Sequence, residues 1–393
     1  MSNRFYIFLI AFFYCSFLFS QKKDPLKAEN HQDQKHWVDS LYNSMILKEK
    51  VAQLFVLQLM TKNDNSNLIY KQISENKIGG IILSNGSPLR MAETINKMQS
   101  ISNIPLLIGI DAEWGLKMRI DSTMKFPWNM SLGAIKHNSL LERVGGSIGK
   151  HCKRMGIHIN FAPVVDINTN PSNPIIGNRS YGEDKFNVTN KAVSFTKGMQ
   201  EEGVLACAKH FPGHGDTSKD SHKTLPTIGF KKKRIMDVEL YPYRTLIKEG
   251  LASVMIAHLN VPSLESNDNF PSSLSKKIVT GLLKDRLKFK GLIITDALGM
   301  KGVTSYDKEN IDLMAFKAGN DVLLMSGDIN AGISSIVNAY KSNEISEKRL
   351  QHSVKKILKA KYKVGLNRYK PIDTNNLISD LNPIKDKVLK EEV

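Results

Sequence analysis

The chain has 393 residues, 41% of them hydrophobic, with 55 Lys+Arg against 38 Asp+Glu and a formal net charge of +17. That is enough apolar sequence for a full-sized core, which excludes a compositionally disordered chain. The lysines are spread along the whole length with no nucleic-acid motif beside them, so no nucleic-acid partner is expected and the charge reads as solubility with mild attraction to polyanions.

Residues 1–20 carry one charge, Arg4, followed by an apolar run from Phe5 to Phe19 and by small Ser20 before Gln21. The pattern predicts a secretory signal peptide and an exported protein, periplasmic or associated with the cell envelope, with an uncleaved anchor as the alternative. No other membrane insertion is expected. Beyond the leader only Cys152 and Cys207 remain, which do not make a disulfide framework. Residues 21–36, beginning "QKKDPLKAENHQDQK", lack an apolar period and read as a polar linker, so that folding begins near Trp37.

From there, short apolar runs alternate with stretches of helical spacing. The runs are "LFVLQL" from Leu54, "GGIILS" from Gly79, "PLLIGID" from Pro105 and "INFAPVVDI" from Ile159. "LACAKH" from Leu205, "SVMIAHL" from Ser253, "GLIITDA" from Gly291 and "DVLLMS" from Asp321 complete the set. Continuous Val, Ile and Leu without polar alternation marks strands buried on both faces of a parallel sheet. Eight strand and helix repeats predict an α/β fold, a single (β/α)8 barrel over residues 37–366. The rival is a doubly wound open sheet, but no G-x-G-x-x-G turn follows the first run. Ser346 to Leu366 reads as a closing amphipathic helix, and residues 367–393 as a charged, loosely ordered tail.

Barrel enzymes carry their chemistry at the C-terminal ends of the strands, so the residue ending each run is informative. Asp111 ends the third run, Asp166 the fourth, Lys209 and His210 the fifth, His258 the sixth and Asp296 the seventh. Any one of these is ordinarily a cap or a turn former. A set converging on one rim points to a site.

The stretch "KHFPGHGDTSKDSHKTLP", Lys209 to Pro226, admits three readings: a metal cage, a proton-transfer site or a polar loop. His210, His214, Asp216, Asp220 and His222 are all permissible metal ligands. The Pro and Gly residues between His210 and His214, however, oppose a helix that would align the two rings. Asp220 and His222, two residues apart, share a face of an extended segment, so the carboxylate can orient the imidazole as a general acid/base. A carboxylate placed as Asp296 is can act as nucleophile or base. Arg119 and Arg179, with Asp111, Lys209 and His210, form donors and acceptors suited to several sugar hydroxyls.

These motifs resemble glycoside hydrolase family 3 in its N-acetyl-β-glucosaminidase branch. The resemblance runs from about Leu47 to Leu366. It rests on "KHFPGHG" with "DSH" and "LP", and on "GIDAEWG", "FAPVVDI", "NPIIGNRSYG", "ITDALGM" and "KYKVGL" in order. It implies a barrel without cofactor or metal that performs retaining hydrolysis through a covalent glycosyl-enzyme. Asp296 is then the nucleophile and His222, partnered by Asp220, the acid/base. Asp111, Arg119, Arg179, Lys209 and His210 hold the terminal N-acetylglucosamine of a muropeptide or chitooligosaccharide. An imidazole acid/base also leaves room for transfer to phosphate, with hydrolysis expected. The chain departs from many relatives at Ala112 and Trp114 of "DAEWG", where Gln and Gly are common. A monomer is expected, and a barrel alone fits the glucosaminidase branch. Alternatives are a β-glucosidase or β-xylosidase of the same family, a metal-dependent barrel hydrolase, and a sugar-binding protein that has lost catalysis.

Overall fold

The computed structural model describes residues 24–60, 65–218, 224–306 and 311–393. All eight apolar runs form strands: β1 (Phe55–Met60), β2 (Gly80–Ser84), β3 (Leu107–Ile110), β4 (Ile159–Asn160), β5 (Leu205–Phe211), β6 (Ser253–Ile256), β7 (Leu292–Thr295) and β8 (Leu323–Leu324). Every pairing is parallel, in the order β7-β6-β5-β4-β3-β2-β1-β8. A parallel bridge between Ile294 and Val322 joins β7 to β8, and Thr295 N donates to Val322 O at 3.0 Å. The sheet therefore closes, and an open doubly wound sheet is ruled out. Strands β3, β6 and β7 are buried at every position, as residues with the barrel interior on one side and helices on the other must be. Closure also sets the site, because it brings all the strand C-termini to one end.

The expected helix near the C-terminus spans Glu347–Lys363, and the Ser346 side chain caps it by accepting from Arg349 N. It packs against a helix over His31–Ser44, which corrects the reading of residues 21–36 as a linker. Order begins at least at Asp24: Leu26 is buried, and Gln34 Nε2 donates to Leu26 O at 2.8 Å and to Lys359 O at 3.0 Å. Gln34, Val38 and Tyr42 make the buried stripe of that first helix. Its leading member is a glutamine whose amide finds backbone partners, so no apolar period announces it.

The C-terminal tail is corrected likewise. Ile372, Leu377, Leu381 and Leu389 are buried, and a helix covers Ile384–Glu392. Arg154 clamps the segment, donating to Asp373 O, Asn375 O and the Asp380 carboxylate at 2.6, 2.8 and 2.8 Å. Single leucines spaced through charged sequence do this anchoring, a signal too sparse to read against the lysines around it. The expected signal peptide, residues 1–20, lies outside the described residues. Among the described residues no helix is long and apolar enough to cross a membrane.

Candidate active site

A cavity of about 670 Å³ opens at the strand C-termini, within the roughly 300–1,000 Å³ usual for small-molecule sites. Asp111, Arg119, Arg179, Lys209, His210 and Asp296 all line it. The sequence scatters these six residues over more than 180 positions; barrel closure gathers them.

Lys209 and His210 are neighbours on β5, and a regular strand would send their side chains to opposite faces. The register of β5 against β6 shifts between Ala208 and Phe211, and both side chains reach the cavity. Such a bulge re-aims a strand residue. Beyond it the chain turns on two glycines. Gly213 has a φ of +137°, and a Cβ on Gly215 would stand 1.9 Å from Ile167 O.

The buried Lys209 ammonium lies between two carboxylates, 2.7 Å from Asp111 Oδ1 and 2.8 Å from Glu113 Oε1. Arg119 reaches the other oxygen of Asp111 at 3.1 Å. Arg179 grips Glu113 with two bonds, Nε at 3.0 Å and one terminal nitrogen at 2.7 Å. Burial alone would push both carboxyls toward the neutral acid. The Lys209 and Arg119 charges beside Asp111, and Arg179 and Lys209 beside Glu113, outweigh it and hold both pKa values below the usual carboxylate range. Burial likewise opposes the charge on Lys209, but Asp111 and Glu113 raise its pKa and keep it protonated. The wall is thus ionised on both signs and rigidly paired, a preformed surface for hydroxyls that both donate and accept.

Glu113 escaped the reading of the sequence. Its side chain is fully buried. One signal was present: it stands two residues after Asp111, so an extended backbone puts the two carboxylates on the same side.

Asp166 is a hub. Its oxygens accept the His210 amide at 3.2 Å, the His214 amide at 2.7 Å and the His210 ring Nδ1 at 2.6 Å. With Nδ1–H donating to Asp166, His210 Nε2 is left to accept from Arg179, 3.3 Å away. The His214 ring bonds Thr217 through Nδ1 at 2.6 Å, and burial together with His210 pushes its pKa down to about 4, so it is neutral near pH 7.

Asp296 follows β7 directly, its amide donating to Ile256 O at 2.8 Å. Its Oδ1 accepts from Ala297 N at 2.8 Å, which fixes the carboxylate against the backbone. Burial raises the pKa of this carboxyl, but His258, His210, the Ala297 amide and Lys209 outweigh that and leave it below the usual value, so it is ionised at neutral pH. His258 is itself fixed, Nε2 donating to Ala297 O at 3.0 Å while Nδ1 lies 2.7 Å from Ser273 Oγ. An ionised carboxylate held by backbone at the edge of a sugar-sized cavity can attack an electrophilic carbon.

Asp220 and His222 lie outside the described residues. The residues before them do not form a solvated loop: His214 and Thr217 are buried, and Thr169 Oγ1 donates to Asp216 Oδ1 at 3.0 Å. Among the described residues no three of His, Cys, Asp and Glu are grouped to hold a metal ion.

Fold and site together define a closed (β/α)8-barrel protein with a polar, ion-paired cavity at the strand C-termini. The chain belongs to glycosyl hydrolase family 3: the N-terminal domain of that family matches residues 46–360. It is 33% identical over 325 residues to β-hexosaminidase A of Pseudoalteromonas piscicida, covering 74% of this chain and 54% of that protein. A solved family 3 β-N-acetylglucosaminidase from Paenibacillus sp. str. FPU-7 superposes with a TM-score of 0.79 at 33% identity, over 88% of this chain and 69% of that one. A β-glucoside phosphorylase superposes with a TM-score of 0.88 at 25% identity, over 94% and 68%. The chain spans about half the length of the curated hexosaminidase it matches.

Proposed function

We propose that this protein is an exported, retaining β-N-acetylglucosaminidase that removes terminal non-reducing N-acetyl-β-D-glucosamine from muropeptides or chitooligosaccharides, and that it works as a monomer without cofactor. The observation that carries this reading is the ionised Asp296 beside the paired wall of Asp111, Glu113, Lys209 and Arg179 in one cavity. The hexosaminidase and N-acetylglucosaminidase names of its relatives agree with it.

In this mechanism the polar wall, with Arg119 and His210, holds the hydroxyls of the terminal sugar. Asp296 Oδ2 attacks the anomeric carbon, forming an ester bond as the glycosidic C–O bond breaks, and His222, oriented by Asp220, protonates the departing oxygen. His222 then takes a proton from water, whose oxygen attacks the same carbon and releases Asp296. Two inversions give net retention. The leader delivers the enzyme beyond the inner membrane, where wall fragments are turned over.

The test is to incubate residues 21–393 with aryl N-acetyl-β-glucosaminide and aryl β-glucoside, with and without EDTA and inorganic phosphate. Selective, EDTA-resistant release of free N-acetylglucosamine is expected. Cleavage of the glucoside alone moves the protein to the β-glucosidase reading, and EDTA-sensitive cleavage moves it to the metal-dependent one. The phosphorylase neighbour motivates the phosphate arm, in which a sugar 1-phosphate product would replace hydrolysis by transfer.

A further inference from the structure

A second cavity, of about 830 Å³, lies between the helices over Lys277–Arg286, Ile311–Ala318 and Glu347–Lys363 and shares no lining residue with the mouth. Its charges are one-sided: Lys276, Lys284, Lys317, Lys348 and Arg349 against the carboxylate of Glu344. Lys317 takes that carboxylate at 2.5 Å. Among the described residues Lys276, Lys284 and Lys348 make no salt bridge. His352, also in the lining, is pushed down to a pKa of about 4 by burial and adds no charge near pH 7.

Lys284 is the partly buried cation of the set. Burial, with Arg349 and Lys356, pushes its pKa down to about 8 against the pull of Asp321 and Asp285, so its charge is left under-compensated. Gly319 makes room for it: a Cβ there would meet Thr280 Oγ1 and stand 3.3 Å from Lys284 Nζ. The helix over Glu347–Lys363 begins at the same cavity, with Ser346, Lys348 and Arg349 in the lining. The Ser346 side chain takes Arg349 N, and among the described residues the Glu347 and Lys348 amides have no acceptor. Free amides at the positive end of a helix favour an anion. The Arg349 guanidinium holds Phe316 O, Asn320 O and Ser353 Oγ, while its Nε is buried without a hydrogen-bond partner among the described residues.

We infer that this cavity binds a small organic phosphate, its phosphate held by Lys276, Lys284, Lys348 and the helix terminus, and its organic body lying against Leu274, Met314 and Ile345. A phosphate monoester carries close to two charges near pH 7 and three acceptor oxygens, which suits several unpaired cations and free amides at once. A carboxylate brings one charge and fewer acceptors. A bare inorganic ion would leave the Leu274, Met314 and Ile345 side of the cavity uncovered, where burial of apolar surface is favourable. The inference uses no residue of the mouth and does not depend on the glycosidase reading.

Calorimetric titration of the full chain with phenyl phosphate, inorganic phosphate and benzoate tests this. Expected is binding of phenyl phosphate at one site, tighter than that of either other probe and weakening as salt is added. Affinity should fall at least about tenfold in Lys284→Gln, the scale of one hydrogen bond to a charged group. The double variant Lys276→Gln/Lys348→Gln changes two exposed side chains, leaves the fold alone and should show a loss of the same size. Arg119→Gln, which removes a cation from the mouth, should bind phenyl phosphate as the parent does. Absence of binding, or an affinity unchanged in both cavity variants, overturns the site, as does a loss confined to Arg119→Gln. Benzoate bound as tightly as phenyl phosphate overturns the choice of phosphate, and inorganic phosphate bound as tightly overturns the organic body.

Discussion

The two ends of the barrel bury ions in opposite ways. At the mouth, Asp111, Glu113, Lys209 and Arg179 pair with one another and still face a cavity. At the floor, Asp321, two residues before β8, is buried and closed off: it accepts from Ser353 Oγ at 2.5 Å, Lys356 Nζ at 2.6 Å and the Ile293 amide at 3.1 Å. Lys356, with Lys284 and Arg349, outweighs burial and keeps that carboxylate ionised. Lys361, also at the floor, is fully buried, its Nζ donating to the Gln53 side-chain oxygen at 2.6 Å. Asp111 and Lys209 both line the mouth cavity, whereas at the floor a second cavity is lined by the cations Lys284 and Arg349 but not by Asp321, so the contrast is between a paired carboxylate with access to a cavity and one without.

That contrast can be broken at its sharpest point first. Asp296→Ala should lower kcat/KM by more than about 10³-fold, the scale of removing a covalent nucleophile, while the melting temperature holds or rises because a buried charge is gone. Wild-type turnover in this variant would end the nucleophile assignment. His222→Ala should cost about 10²–10⁴-fold with a poor leaving group and much less with a good one, which needs little protonation. Equal losses across leaving groups would remove the acid role.

Two charge deletions then compare the ends directly. Lys209→Met leaves Asp111 and Glu113 without their shared cation, and Asp321→Asn leaves Lys356 without its carboxylate; each should destabilise by about 3–5 kcal/mol in urea unfolding. Only Lys209→Met should also abolish sugar binding. Folded Asp321→Asn should turn over normally, and loss of its activity would blur the division between mouth and floor.

The smallest effect is in pH. Burial pushes the Lys361 pKa down to about 7 from its ordinary 10.5. Between those values the unfolded chain holds a proton that the folded one has lost, so stability climbs as pH rises, by up to about 1.4 kcal/mol per unit. Below pH 7 this residue contributes no further slope. In Lys361→Met the climb should flatten, which unfolding at pH 7, 8 and 9 would read.

How far the sequence reached follows from the same physics. All eight strands were legible because a barrel strand is buried on both faces and must be apolar throughout. Asp111, Lys209 and Asp296 were legible because a charge ending such a run has one place to go. Glu113 was missed because it lies past the strand end, flanked by Ala112 and Trp114, and its importance comes from Arg179, 66 residues away. The segments around Leu26 and Leu377 were misjudged for a related reason: each is pinned by a few buried side chains and by backbone acceptors, neither of which leaves a periodic trace.

Asp166 gives the mouth a brittle response to acid. Burial raises its pKa, but the His210 and His214 side chains and the His214 amide outweigh that, so it ionises below the ordinary carboxylate range. The proton that finally arrives there disturbs both residues at once: the His210 ring, the His210 amide and the His214 amide all lose an anionic anchor together. The part of the mouth built on His210 and His214 should lose its common anchor only when that proton arrives.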